Sequence, residues 1–362
     1  MSVDAAFGTS FTVGVEEELL LVDPSTRELS PVAADVLARI DLGRDAASHE
    51  AYAAQIELRS PPSATAAHAR EALNAARAAA GGAGATLLGA GLHPTAPEGR
   101  AAIVDEERYR RVARSMRGLF GRTPESALHV HVGMPDAATA IGCFNALREN
   151  LPLLQGLTAS SPWWFGRDSG LASARYALVR AYPGRGVPPA FADWEEYATH
   201  AERAAAAADV ADYTFLWWDI RPHPRLGTVE VREMDAQASL DTVAAVAALI
   251  QAIAAEAAEG RGPADPLSSE AVSWSCFRSA RDGLDATVLT GGELRPLREV
   301  ARSTVERVLP AARALGSDRE LEGVERILVD GSGADRQRAA AARGGTAALL
   351  DHLVQETAKS PK

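Results

Sequence analysis

Only two cysteines occur in the 362 residues, Cys143 and Cys276, far apart and without CxxC spacing. That excludes a disulfide framework and a zinc–thiolate site, and it leaves two reduced thiols with no catalytic role. No uncharged apolar run approaches the roughly 18 residues that a membrane helix needs. The first residues also lack a basic region followed by an apolar stretch, so the chain reads as soluble, cytoplasmic and without a membrane partner. There is no GxxxxGK[ST], no GxGxxG after a strand, no GxSxG and no HExxH. P-loop, Rossmann, nucleophile-elbow and zincin readings therefore have no support. Positive charge is in the minority, with 37 Lys and Arg against 48 Asp and Glu and a net charge of −11. Nucleic acid and anionic lipid are repelled overall, so an anionic substrate needs a local basic site or bound cations.

What is present is enough apolar material for a substantial core, at 47% hydrophobic residues. Phe11 to Val22 reads as a strand, stopped by the turn formers Asp23-Pro24-Ser25. Side chains alternate along it, so Val13, Val15, Leu19 and Leu21 share one face while Glu16 and Glu18 share the other. Ala54 to Arg59 repeats the pattern, with Ile56 and Leu58 opposite Gln55, Glu57 and Arg59, before Pro61-Pro62 ends it. The alanine-rich segment 64–80 predicts a helix closed by Gly81-Gly82. Residues 86–91 predict a short buried strand, 105–117 a helix, and 127–132 a strand with His129 and His131 on one face. Residues 156–186 show no clean period and read as an ordered loop, with Trp163-Trp164-Phe165 as packing. A helix over 193–209, a strand over 227–233 after Pro222 and Pro224, a long helix over 241–260 and a mainly helical remainder follow. The reading is one catalytic domain over 1–362, with the strands mainly within 10–235 and a helical part over 240–362. The class is α+β, with a mainly antiparallel sheet and flanking helices.

Four extended segments place charged groups at i and i+2: Glu16/Glu18, Glu57/Arg59, His129/His131 and Glu230/Arg232. Each pair alone fits a solvated strand face, structural histidines or a cross-strand ion pair. If the strands are neighbours, one face gathers carboxylates, imidazoles and guanidinium groups that are costly to bury without cations or a ligand. Hard divalent cations with oxygen ligands, Mg²⁺ or Mn²⁺, suit such a face and commonly bridge to nucleotide phosphates.

The motifs Gly14-Val15-Glu16-Glu17-Glu18-Leu19, Leu92-His93-Pro94, His129-Val130-His131-Val132-Gly133, Ala159-Ser160-Ser161-Pro162 and Trp218-Asp219-Ile220-Arg221-Pro222 occur in this order. With Gly227-Thr228-Val229-Glu230-Val231-Arg232-Glu233-Met234-Asp235, the chain resembles the glutamate–cysteine ligase type 2 family from about Phe11 to beyond Gly283. The resemblance implies a glutamine-synthetase-like antiparallel sheet that binds ATP and metal ions, often in a homodimer. It implies an ATP-dependent carboxylate–amine ligase acting on small-molecule amino acids. ATP phosphorylates a carboxylate, typically of glutamate, and cysteine or another amine displaces phosphate. Glu16, Glu18, Glu57 and Glu230 are then the metal candidates. Arg232, Arg221 and His131 are the catalytic candidates, because anions brought together need positive charge and guanidinium forks match phosphoryl and carboxylate oxygens. Arg281, Asp219 and His129 are the cofactor candidates, with Asp219 orienting Arg221 or marking a structural corner. His93 reads as structural.

The sequence departs from the family at Ser275 and Asp282, which flank Arg281 where an asparagine and a tyrosine are usual, and at Ser126-Ala127 in place of a cysteine–glycine pair. These changes keep two alternatives open. One is a non-catalytic paralogue that binds nucleotide or amino acid. The other is a metal-dependent hydrolase built on His-x-His, which the excess of acidic over imidazole ligands disfavours.

Overall fold

The computed structural model describes residues 6–43, 45–99 and 101–360. Its main sheet is built from β1 (Val13–Leu21), β2 (Ala47–His49), β3 (Gln55–Arg59), β4 (Leu87–Leu88), β5 (Ala127–Gly133), β8 (Ile220–His223) and β9 (Thr228–Asp235). Between β5 and β8 lies a small hairpin, β6 (Trp163–Trp164) with β7 (Arg167–Asp168), and a second hairpin near the end joins β10 (Thr287–Thr290) to β11 (Glu293–Pro296). The main sheet runs β2-β3-β1-β5-β9-β8 with every neighbour antiparallel, and β4 pairs with the end of β1. Pro222 sits in the edge strand β8, where a missing N–H removes no ladder bond.

Alternation decides the two faces. Val13, Val15, Leu19, Ile56, Leu58, Val130, Val132, Val229 and Val231 are buried in one hydrophobic cluster. Each fully buried aliphatic side chain contributes about 1.5–3 kcal/mol relative to exposure. Three helices cover this face: α2 (Ala66–Gly82), α4 (Ala137–Leu157) and α7 (Leu240–Glu256). The Thr65 hydroxyl caps α2 by accepting the His68 N–H at 3.3 Å, and Asp136 caps α4 by accepting the Thr139 N–H at 2.8 Å. Glu17 breaks the apolar pattern, because it points into the core. There it forms a two-pronged ion pair with Arg77 of α2 at 2.8 and 2.6 Å, and Arg77 also donates to the carbonyls of Gln237, Ala238 and Thr357.

The remaining helices are α1 (Ala33–Arg39), α3 (Glu107–Met116), α5 (Ala174–Val179), α6 (Trp194–Ala207), α8 (Ser269–Asp282), α9 (Leu297–Leu315), α10 (Asp318–Leu321), α11 (Gly323–Asp330) and α12 (Gly333–Thr357). Two expectations change. The stretch 137–157, most of which carries no sequence expectation and the end of which falls in the expected loop from 156, is a helix of 21 residues that is apolar nearly all round because it is buried. The expectation that no segment is long and apolar enough to cross a membrane also changes. Leu240–Gly260 has the length and a mean hydropathy of 1.6, yet 89% of that window is buried as the central helix of the core. Its neighbours α2, α4, α9, α10 and α11 explain the apolar surface.

Candidate active site

The register brings the paired residues of the four segments together. Glu16 lies across from His129 on one side and from Arg59 on the other, Glu18 faces Glu57, and Glu230 stands between His131 and Arg221. Their side chains line one cavity of about 370 Å³ on the sheet face opposite the hydrophobic core. A β-bulge shapes it. Arg232 and Glu233 together stand opposite the single residue His129, because Val231 pairs with Val130 and Met234 with Leu128. On the other edge of β9 the Arg232 N–H donates to the Asp219 carbonyl at 2.7 Å, continuing the β8 ladder.

Two sets of ligand atoms converge. Glu16, His129 and Glu230 offer atoms within 4.8 Å of one another, and so do Glu18, Glu57 and His129. His129 is shared, with Nδ1 3.4 Å from Glu16 Oε2 and Nε2 3.8 Å from Glu18 Oε1. Burial, followed by the Arg232 charge, holds the His129 imidazole down to about 4, so its ring keeps a free lone pair at neutral pH. Burial first, and then repulsion from Glu16 and Glu50, pushes the Glu57 carboxyl well above the usual range. Glu18 is raised by burial and by Glu50 despite the opposing pull of His129, and the Ala127 N–H donates to it at 2.7 Å. His131 Nε2 is buried with no hydrogen-bond partner, 3.5 Å from Glu16 Oε1 and 3.7 Å from Glu230 Oε1. Glu18 and Glu57, which resist ionising, a neutral His129 imidazole beside them, Glu16 held, despite its burial, well below the usual carboxylate range by His131 and His129, and an orphaned His131 ring nitrogen form a donor set that fits hard divalent cations.

The basic groups divide by role. Arg221 donates Nε–H to Glu230 Oε2 at 2.6 Å and Nη1 to the carbonyls of Tyr213, Thr214 and Leu216. It therefore anchors Glu230 and a turn, rather than presenting a free fork. Arg232 contacts Glu230 and keeps a buried Nε without a partner in the cavity wall. Asp219 does not orient Arg221. It is buried away from the cavity and is clasped by Arg180 at 2.8 and 2.6 Å. Arg281 is not brought to the site either. It ends α8 half-exposed and pairs with its neighbour Asp282 at 2.7 and 2.8 Å. Ser275 accepts the Leu289 N–H at 3.0 Å and so ties α8 to the β10 hairpin. Ser126 accepts from Gln55 at 2.8 Å. His93 is buried with Nε2 2.8 Å from the Arg27 carbonyl.

Other lining residues were not among the sequence candidates: Glu50, Arg108, Glu125, Arg175, Arg185 and His223. Glu50 follows β2 and Arg108 lies in the first turn of α3, while Arg175 lies in the first turn of the short helix α5 and Arg185 follows that helix, in the stretch that shows no period. His223 alone carried a signal, since it lies at i+2 from Arg221 on β8. Burial, with the Arg221 charge, pushes it down to about 3.

The chain belongs to a family whose sequence profile, described as Glutamate-cysteine ligase family 2, matches residues 12–354. That family places it in the class of ATP-dependent carboxylate–amine ligases of the glutamate–cysteine ligase type. It is 43% identical over 367 residues to "Putative glutamate--cysteine ligase 2-3" of Rubrobacter xylanophilus, covering 98% of this chain and 100% of that one. A second protein of that organism, "Putative glutamate--cysteine ligase 2-1", is 38% identical over 348 residues, covering 93% of this chain and 92% of the relative. The fold resembles the crystal structure of a glutamate–cysteine ligase from Francisella tularensis in complex with AMP. The TM-score is 0.70 at 14% identity, over 98% of this chain and 90% of that one. It also resembles a bifunctional glutathione synthetase from Pasteurella multocida, with a TM-score of 0.65 at 14% identity over 96% of this chain and 52% of that one.

Proposed function

We propose that the chain joins a carboxylate, with glutamate the leading candidate, to cysteine or another amine through an acyl phosphate. ATP is the phosphoryl donor and Mg²⁺ or Mn²⁺ the cofactor. The observation that supports this most is the convergence of Glu16, Glu18, Glu57 and Glu230 around His129, with arginines in the same cavity wall. In the first step a carboxylate oxygen attacks the γ-phosphorus and ADP leaves. In the second the amine nitrogen attacks the acyl carbon, phosphate leaves and the nitrogen loses a proton. Both steps crowd anions, so charge compensation and alignment matter more than covalent participation by the protein.

Glu16, Glu230 and His129 would hold one cation and Glu18, Glu57 and His129 the other or an overlapping position; when bound, cations neutralise phosphate oxygens. Arg232, held by Glu230 and set beside the bulge, would compensate the charge of the phosphoryl group. Arg221 keeps the Glu230 carboxylate in place. His131 donates or accepts at the same oxygens through Nε2, with Nδ1 anchored 3.0 Å from the Thr228 hydroxyl. We further read residues 1–362 as one catalytic domain, active as a cytoplasmic homodimer. A hydrophobic cluster that runs from Val13 to Leu328 supports the single domain.

A screen of purified chain with ATP and Mg²⁺ across carboxylates and amines, reading ADP and phosphate release with mass spectrometry of the product, tests the proposal. Acid- and amine-dependent phosphate release with an amide product is expected. ATP binding without substrate-dependent release would instead favour the non-catalytic paralogue, and stoichiometric, tightly held zinc would count against the Mg²⁺ assignment.

A further inference from the structure

Asp219 and Arg180 form a buried ion pair that the proposed chemistry does not use. Asp219 stands just before β8 and is fully buried, Arg180 follows α5, and neither lines the cavity. Arg180 closes on the carboxylate with two parallel contacts, Nη1 to Oδ1 at 2.8 Å and Nη2 to Oδ2 at 2.6 Å. The guanidinium also rests on the Tyr176 ring, with Cζ 4.1 Å from the centroid. Tyr176 donates its hydroxyl to the Ser273 carbonyl of α8 at 3.3 Å, so the clasp is braced from a second helix. A buried pair of this kind gains little stability over apolar residues of the same volume, because both charges give up water.

Both main-chain groups of Asp219 are engaged by segments that carry cavity residues. Its N–H donates to the Gly186 carbonyl at 2.9 Å, next to Arg185, and its carbonyl accepts the Arg232 N–H at 2.7 Å. The second bond falls where β9 is least supported. Arg232 and Glu233 have no partner in the β5 ladder, which passes from the Val130–Val231 pair to the Leu128–Met234 pair. A bulged residue is left unpaired on one side, so its other edge must fix the main chain. On that edge the ladder with β8 ends at the Ile220–Val231 pair, and the Asp219 carbonyl supplies the next contact. The Arg232 side chain then reaches Glu230 on the cavity face.

We propose that Asp219, clasped by Arg180, is a positioning residue that fixes the main chain of Arg232 at the bulge and so keeps its guanidinium beside Glu230. For the role of Arg232 the inference rests on the ligase reading above. It adds an ion pair outside the cavity on which turnover depends.

Initial rates of ADP release, with hydrogen exchange of the peptide 228–235 read by mass spectrometry, test it. Asp219→Asn keeps the volume of the side chain and removes the charge that holds Arg180. Exchange in 228–235 is expected to speed at least ten-fold while β1 and β5 stay protected. The kcat should fall at least ten-fold, with the KM for ATP and for the acid within three-fold, since alignment and not ground-state binding is lost. In an Arg232→Lys background the same change should lower kcat less than two-fold further, because coupled residues are not additive. Arg180→Lys, which keeps the charge, should retain more activity than Arg180→Gln. Additive losses in the two backgrounds overturn the proposal, as do a fall in kcat without faster exchange in 228–235, faster exchange with kcat unchanged, or exchange that speeds throughout the sheet, which would mark a general loss of stability. If the wild-type chain releases no ADP with any acid and amine, the ligase reading fails and exchange alone decides whether the clasp holds the bulge: local acceleration sustains it and none overturns it. Should Asp219→Asn not fold by circular dichroism, Arg180→Lys carries the same measurements with smaller effects expected.

Discussion

His129 stands directly across from Glu16 in the β1–β5 ladder and bridges two carboxylates, with Nδ1 3.4 Å from Glu16 and Nε2 3.8 Å from Glu18. One imidazole therefore belongs to both groups of candidate ligand atoms. His129→Ala removes a donor from each, and turnover should fall by well over ten-fold. Apparent Mn²⁺ affinity should fall about ten- to a hundred-fold, the scale of lost coordination support. Mn²⁺ titration followed by electron paramagnetic resonance checks this, and an unchanged titration would remove His129 from the site.

The Glu17–Arg77 pair is the core's most deeply buried ion pair with two short contacts, with side chains 0% and 4% exposed. Arg77→Ala leaves a buried carboxylate without its partner and strands the carbonyls of Gln237, Ala238 and Thr357. The cost should be about 3–5 kcal/mol in urea unfolding. Replacing both partners with apolar residues, as Arg77→Met with Glu17→Leu, should cost less than the single change. A double variant no better than the single one would show that the carbonyl contacts of Arg77 dominate.

Glu125 links stability to pH. Burial raises its carboxyl to about 7, against an ordinary value of 4.5. The folded chain therefore keeps a proton that the unfolded chain has released between those values. Its stabilising contribution is full below about 4.5 and is lost as pH rises through about 7. Melting curves at pH 5 and pH 8 should show a smaller decline for Glu125→Gln than for the wild-type chain. Parallel declines would place the titration elsewhere.

Gly89 is required by a close approach of backbone. A Cβ at this position would lie 2.3 Å from the Gln237 carbonyl oxygen and 2.9 Å from Ala238 Cα. Gly89→Ala must move one main chain away from the other, with a cost of about 1–3 kcal/mol. Thermal unfolding checks it, and a melting temperature equal to wild type would mean that β4 shifts freely.

The pairs Glu16/Glu18, Glu57/Arg59, His129/His131 and Glu230/Arg232 were legible in the sequence because an extended chain repeats every two residues, and a shared face follows from spacing alone. The family motifs and the α+β class were legible for the same reason, since they reside in contiguous residues. Spacing carried no information about Arg175 and Arg185, which lie in and after a short helix in an aperiodic stretch, or about Glu50 beyond the end of β2. It misplaced Arg281 and paired Asp219 with the wrong arginine, because the choice among Arg180, Arg185 and Arg221 depends on where the segment after α5 meets the residues just before β8. It also could not tell that Glu17 turns inward to Arg77, since an ion pair 60 residues apart in sequence exists only once α2 lies on the sheet. Local chemistry and alternation thus determined which residues share a strand face. Strand order, the bulge opposite His129 and the loops over the sheet decided which of those faces became a site, because only packing brings distant charges within reach of one another.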